Sequence, residues 1–217
     1  KYAEMEKNMH CQTTQAKDIS IKRLSMQEIL SIYTVHSIRH FPENERKPVS
    51  SIERMAQEGI YKGYGLFFPE DADRLIGYAF FSLPPERETS LLDYFAIMED
   101  YRSCGVGSLF LQRMKSAPTD YSGFLIESED PDYAKDPQEH SVRSKRLSFY
   151  NKNGAISTGI TATVFGVPYR LLYFPLTAGK IPHTDQLVSD FSNIYRHMVS
   201  PVNFKSNIQI CPPKASH

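Results

Sequence analysis

The sequence predicts a mixed α/β domain built around one central sheet. Three observations carry that reading. Segments with the strand period of two alternate with segments of helical period along most of the 217 residues. Residues 90–98 (SLLDYFAIM) are almost wholly apolar, the mark of a strand buried on both faces of a sheet. A glycine-containing loop follows directly and opens a helix.

Residues 19–24 (ISIKRL) alternate apolar and polar side chains, as a half-buried strand does. Ser25 and Glu28 then form an S-x-x-E capping box, with Met26, Ile29, Leu30 and Tyr33 on one face of the helix that follows. Ser50 and Glu53 repeat that device for a shorter helix ending near Gly59. The polar stretch 40–48 (HFPENERKP) between them reads as a solvated connection, with a substrate-facing lid as the alternative. Strands are expected at 64–68, 74–83 and 90–98, with turns at 69–73 and 84–88. A helix over 105–116, stopped by Pro118, leads to a buried strand at 123–128 (GFLIES). An acidic loop and a helix over 139–153 come next, with Gly154 at its C′ position. Residues 157–165 and 168–176 read as a terminal hairpin. One amphipathic helix, presenting Leu187, Phe191, Ile194 and Met198, lies in the remainder. The expected organisation is a tail over 1–18, a domain over 19–176 and an extension over 177–217.

Composition narrows the function classes. The 25 basic and 25 acidic residues cancel, without the positive excess of a non-specific nucleic-acid binder. No run approaches the roughly 20 apolar residues of a membrane span. The opening KYAEMEKNMH has no continuous apolar core, so a secretory signal is not expected. Cys11, Cys104 and Cys211 cannot all pair within one chain; no disulfide framework is expected, and a cytoplasmic location fits.

The segment Arg102-Ser103-Cys104-Gly105-Val106-Gly107-Ser108, between strand and helix, is where an anion would bind. A helix N-terminus carries unpaired N–H groups and about half a positive charge. Glycines let the backbone approach a bulky anion, and Arg102 adds a guanidinium that matches phosphate geometry. A Walker A loop is excluded because no Gly-Lys-Ser/Thr follows. A dinucleotide-binding fingerprint starts correctly at Gly105-Val106-Gly107 but fails at Phe110, where a small residue is required for close helix–strand packing. A G-x-G standing alone would equally suit a turn with no ligand.

Residues 93–111, DYFAIMEDYRSCGVGSLFL, resemble the central motif of the GNAT superfamily of N-acetyltransferases. Arg102, Gly105 and Gly107 fill its R-x-x-G-x-G, and the order of elements over 19–176 is similar too. The resemblance implies a twisted, mostly antiparallel sheet of about seven strands flanked by helices, with the fourth and fifth strands splayed apart. It implies acetyl-CoA as co-substrate, its pantetheine paired with Phe95, Ala96 and Ile97 and its pyrophosphate on the amides of Ser103 to Ser108. Cys104 would serve through its backbone; no His or acid adjoins it to make it a nucleophile. No metal is implied.

Transfer of an acetyl group to an amine by direct attack in a ternary complex needs a neutral amine and a proton for the departing thiolate. An amine like that of Lys, with a pKa of about 10.4, is neutral in about one molecule per thousand near pH 7. The stretch 146–154 (RLSFYNKNG) resembles the family's second helix motif, which implies Tyr150 as the acid. Relatives carry Asn as a coenzyme contact where this chain has Arg143, and an Arg there could reach a phosphate instead. Glu127, a carboxylate in an apolar strand, is the leading base; Asp93 is second and Glu129 third.

Residues 127–139 carry six acidic side chains against Lys135, a cluster that would attract a cationic amine or equally form a solvated loop. A small amine is the leading acceptor and a protein amine the second, with a homodimer as a further expectation and neither nucleic acid nor membrane as partner. The rival class is a non-catalytic acyl-CoA sensor on the same fold.

Overall fold

The computed structural model describes residues 19–69, 71–179 and 181–213. The elements are β1 (Ser20–Leu24), α1 (Met26–His40), α2 (Val49–Gln57), β2 (Tyr61–Phe68), β3 (Asp71–Ser82), β4 (Thr89–Ile97), α3 (Val106–Met114), β5 (Gly123–Glu129), α4 (Pro137–Lys152), β6 (Ile156–Val164), β7 (Val167–Pro175), α5 (Thr184–Met198), α6 (Pro201–Asn207) and β8 (Ile208–Cys211). Among the described residues eight strands make one sheet in the order β1-β2-β3-β4-β5-β7-β6-β8. β4 and β5 run parallel, whereas β1–β2, β5–β7, β6–β7 and β6–β8 pair antiparallel. The mixed, mostly antiparallel sheet with flanking helices is the expected one. β8 joins it as the eighth strand, at the edge beside β6. The expected tail over 1–18 lies outside the described residues.

Two compact units divide the chain, one running to Phe81 and including Asp93–Pro118, the other comprising Ser82–Leu92 and the residues from Thr119 onward. In the first unit the capping box at α1 forms as read. Ser25 Oγ accepts from the Glu28 amide at 3.3 Å and the Glu28 carboxylate accepts from the Ser25 amide at 2.7 Å. The second box does not form. α2 begins at Val49 with Pro48 at its N-cap and no side-chain cap, which leaves Ser50 inside the first turn. Pro48 sets the entry angle, and its carbonyl takes the Ser51 amide at 2.9 Å. β2 begins at Tyr61, earlier than the apolar pattern shows, because Lys62, Gly63 and Gly65 interrupt that pattern. The core here is aromatic, with Tyr33, Tyr64, Tyr78, Phe80, Phe81 and Phe110 all at most 2% exposed. On α3, Val106, Phe110, Leu111 and Met114 are the buried stripe.

In the second unit Leu125, Ile126, Leu171, Leu172 and Phe174 are buried, and Phe124 stacks on Phe174 at 4.8 Å. The β6–β7 hairpin closes in two residues, Phe165 and Gly166, both with positive φ (47° and 82°). That geometry matches the right-handed strand twist and favours glycine at the second position. α5 buries Leu187, Phe191, Ile194 and Met198 as expected. The extension holds more than that one helix: α6 follows, with Ser200 as N-cap and Pro201 in the first turn, and then β8 pairs with Thr161–Val164 of β6.

β4 passes from one unit to the other. Thr89 to Leu92 are all buried; from Asp93 the strand alternates half-buried and buried positions. Burial on both faces therefore holds for its first half only. Its parallel register with β5 covers Thr89↔Gly123 to Leu92↔Ile126 and stops there.

Candidate active site

The loop after β4 has the features of an anion cradle. A short 3-10 turn, Glu99–Tyr101, leads into Arg102, and Ser103 takes a positive φ of 68°. Gly105 is the N-cap of α3 in the left-handed region (φ 77°, ψ −2°), and no side chain caps the helix. A Cβ built on Gly105 would meet nothing within 4 Å, so its conformation, not crowding, favours glycine, and the space beside it is open. The first-turn amides of Val106, Gly107 and Ser108 have no carbonyl one turn below them. Arg102 is exposed, and its Nε donates to the Ile97 carbonyl at 3.0 Å. Phe95 and Ile97 are half-buried and Ala96 is buried.

Cys104 in this loop is disulfide-bonded, and Cys211 is an exposed free thiol. The expectation of no disulfide is corrected at Cys104, and the cysteines no longer argue for a reducing compartment. Among the described residues no helix is long and apolar enough to cross a membrane, and no group of His, Cys, Asp and Glu could hold a metal ion.

Asp93 is placed differently from a free base. Its side chain is 3% exposed; Oδ1 lies 2.5 Å from Lys47 Nζ, and Oδ2 accepts from the Tyr61 hydroxyl at 2.7 Å. Around this pair, Tyr94 Oη accepts from the Lys47 amide at 3.0 Å and donates to the Glu45 carbonyl at 2.9 Å. Tyr33 Oη donates to the Lys47 carbonyl at 2.7 Å. Burial foremost pushes all three phenols, Tyr33, Tyr61 and Tyr94, above the usual tyrosine value, which keeps them protonated donors. The stretch 45–47 is thereby pinned to β4 by buried side chains, and is not merely solvated.

At the C-terminal end of α1, His40 Nδ1 lies 3.0 Å from Tyr78 Oη. The His40 and Tyr78 rings stack at 5.6 Å, and His36 stacks on His40 at 6.2 Å. His40 is half-buried, and burial first, then the charge of Arg102, holds its pKa below the usual imidazole value. Sequence spacing could not show this pair, because its members are 38 residues apart on a helix end and a strand.

In the second unit, Tyr150 is on α4 and 8% exposed, and its hydroxyl makes no hydrogen bond among the described residues. Burial pushes its pKa up to about 12 against the opposing charge of Arg146, so it holds its proton throughout the neutral range. Half-buried Glu127 accepts from the Tyr195 hydroxyl of α5 at 2.7 Å. Arg143 is engaged in the acidic loop. Its guanidinium donates to the Asp130 carbonyl at 2.9 Å and to Glu139 at 2.8 Å, and lies 3.3 Å from Glu129. Arg146 takes the other oxygen of Glu129 at 2.9 Å, and Arg170 bridges Asp130 and Asp132 at 2.9 and 2.6 Å. Asp136 is the N-cap of α4. Three arginines from outside 127–139 thus neutralise much of the acidic cluster, which weakens its case as an attractor of cations.

No protein-family model and no curated protein matches the sequence. Solved structures do. A GNAT-family protein from Bacteroides thetaiotaomicron superposes with a TM-score of 0.59 at 15% identity, covering 85% of this chain and 98% of that one. The ribosomal-protein-S18-alanine N-acetyltransferase of Escherichia coli gives 0.52 at 14% identity, covering 76% and 99%. A spermidine N-acetyltransferase variant from Vibrio cholerae gives 0.51 at 10% identity, covering 73% and 94%. These likenesses establish the fold.

Proposed function

The chain has the fold of the GNAT-family acetyltransferases, and from it we propose an N-acetyltransferase that moves an acetyl group from acetyl-CoA to a primary amine. The observation that carries the reading is the uncapped N-terminus of α3 behind Gly105, with Arg102 anchored beside it through Ile97. Open space where a Cβ of Gly105 would stand, unpaired first-turn amides and a guanidinium suit a pyrophosphate. Phe95 to Ile97 would pair with the pantetheine arm along β4, beyond Leu92 where the register with β5 ends. Ser103 to Ser108 would hold the diphosphate through their backbone, the side chain of Cys104 being engaged in its disulfide.

Acetyl-CoA, when bound, supplies an acyl group activated as a thioester. Tyr150 would give the proton that the leaving sulfur requires, since its unshared hydroxyl and raised pKa keep that proton available at neutral pH. An amine acceptor is supported by two neighbours, one named for spermidine and one for an alanine of a ribosomal protein. The acidic loop is a structural, arginine-bridged element in this reading and does not select the amine by charge.

Calorimetry with acetyl-CoA on wild type and Gly107→Asp tests the cradle. Asp in the first turn favours the helix dipole, so the fold should survive while a negative charge enters the phosphate site. An affinity loss of about 100-fold or more, roughly 2.7 kcal/mol, is expected. Equal affinities would refute the cradle. Tight binding without turnover on any of a panel of polyamines, amino-acid amides and peptides would instead favour the sensor class.

A further inference from the structure

In the second unit α4 carries a groove of about 580 Å³. Ser141, Lys145, Ser148 and Lys152 line it, and steps of four, three and four residues put them on one side of the helix. Ser144 adds a third hydroxyl to that side, and His140 and Phe149 complete the lining. The buried residues of α4, Arg143 and Tyr150, stand on the opposite side; nine residues, about two and a half turns, separate Tyr150 from Ser141.

The groove is rich in donors and has no carboxylate in its lining. From His140 to Lys152 the helix carries four Lys and Arg residues and no Asp or Glu. Two of the four, Arg143 and Arg146, are spent on Glu129 and Glu139. Lys145 and Lys152 are exposed and make no ion pair among the described residues. The hydroxyls of Ser141, Ser144 and Ser148 and the ring of His140 make no hydrogen bond there either. Ser141, Ser144 and Phe149 are half-buried, so this side of the helix is partly sheltered.

We propose that the groove binds a free nucleotide, its phosphates held by Lys145, Lys152 and the three serine hydroxyls and its base laid against Phe149. The site shares no residue with the α3 cradle and stands whether or not the chain is an acetyltransferase. A phosphate presents several acceptor oxygens around one centre, and hydroxyl donors and ammonium point charges serve them together. A cationic ligand would meet two like charges and no counter-ion. Size favours more than a bare phosphate. The volume falls among small-molecule sites of roughly 300–1,000 Å³, and the eleven residues from Ser141 to Lys152 span about 16 Å along the helix. Nucleobases stack on aromatic side chains, and Phe149 is the aromatic residue of the lining.

The test is a residue-resolved NMR titration of the full chain with ADP, in the Gly107→Asp background that keeps the nucleotide from the α3 cradle. Amides from Ser141 to Lys152 should shift and saturate with a Kd of about 1 mM or tighter. Replacing Lys145→Gln and Lys152→Gln together should weaken ADP about tenfold or more at an unchanged melting temperature, since both side chains are exposed and unpaired. Phe149→Leu should weaken ADP about fivefold or more and leave inorganic phosphate within about twofold. Acetyl-CoA affinity, measured with Gly107 in place, should stay within about twofold in the double lysine variant. Shifts that climb without saturation to about 10 mM ADP overturn the site, and so does an ADP affinity that ignores the lysines. Inorganic phosphate that binds as tightly as ADP overturns the nucleotide assignment. An acetyl-CoA affinity that falls with the lysines overturns an independent site, because the groove then belongs to the coenzyme.

Discussion

Asp93→Asn separates a structural carboxylate from a catalytic one, and the size of its effect follows from the contacts of Asp93. The substitution removes the counter-charge 2.5 Å from Lys47 Nζ and leaves an acceptor for the Tyr61 hydroxyl. Breaking a buried ion pair by neutralising one member costs about 3–5 kcal/mol, because the partner charge stays desolvated. Here the Asp93 side chain is 3% exposed but Lys47 is 23% exposed, so water relieves part of that penalty and about 2–3 kcal/mol is expected. For a chain of this size that corresponds to a fall of roughly 5–10 °C in melting temperature. Urea unfolding should show a lower midpoint with an unchanged slope. Adding Lys47→Met should recover a large part of the loss, because the unpaired ammonium is then gone, and the double-mutant cycle should return a coupling of about 2 kcal/mol. Hydrogen exchange at residues 45–47 should quicken in Asp93→Asn, since Tyr33 and Tyr94 hold that stretch beside the pair. A destabilisation below about 0.5 kcal/mol, or a coupling near zero, would refute the argument. A large drop in kcat in a variant of unchanged stability would return Asp93 to the chemistry.

Tyr150→Phe keeps the buried ring and removes only the proton; kcat should fall about 10²–10³-fold with acetyl-CoA affinity level, and a change within twofold would exclude Tyr150 as the acid. Glu127→Gln should lower stability by about 1 kcal/mol, through the weakened bond from Tyr195, and leave the pH–rate profile parallel to wild type. Glu28 is held down to about 2, first by the hydrogen bond from Lys22 and then by those of Ser25. Its folded pKa lies below the unfolded value, so its contribution is complete above about pH 4.5 and is lost as pH falls toward 2; Glu28→Gln should flatten that part of the stability curve, and an unchanged acid limb would contradict it.

What the sequence determined by itself is what depends on near neighbours. Ser25 and Glu28 stand three residues apart and cap α1 as a pattern of that spacing should. Gly105 and Gly107 follow a strand and open a helix, so the loop's shape was legible from conformational preference alone. Glu127 and Tyr150 could be placed on their strand and helix, though a placement says nothing of partners. The failures have local causes. Pro48 took the start of α2 from Ser50, and β8, with only four residues and Gln209 among them, has no alternation long enough to read.

Tertiary structure decided which polar groups are spent on one another. Lys47 and Asp93 are 46 residues apart, Arg170 and Asp132 38, and Tyr195 and Glu127 68, so no window of sequence contains either partner's reason for being there. A charge in a strand looks available until the cation that neutralises it is found, which is why the acidic loop resembled a cation attractor and Arg143 a phosphate contact. Conversely, a histidine closing a helix beside a polar turn carries no signal until a buried tyrosine is seen at its Nδ1. Local preference sets the backbone; desolvation, which acts only once distant segments meet, sets the chemistry of the groups on it.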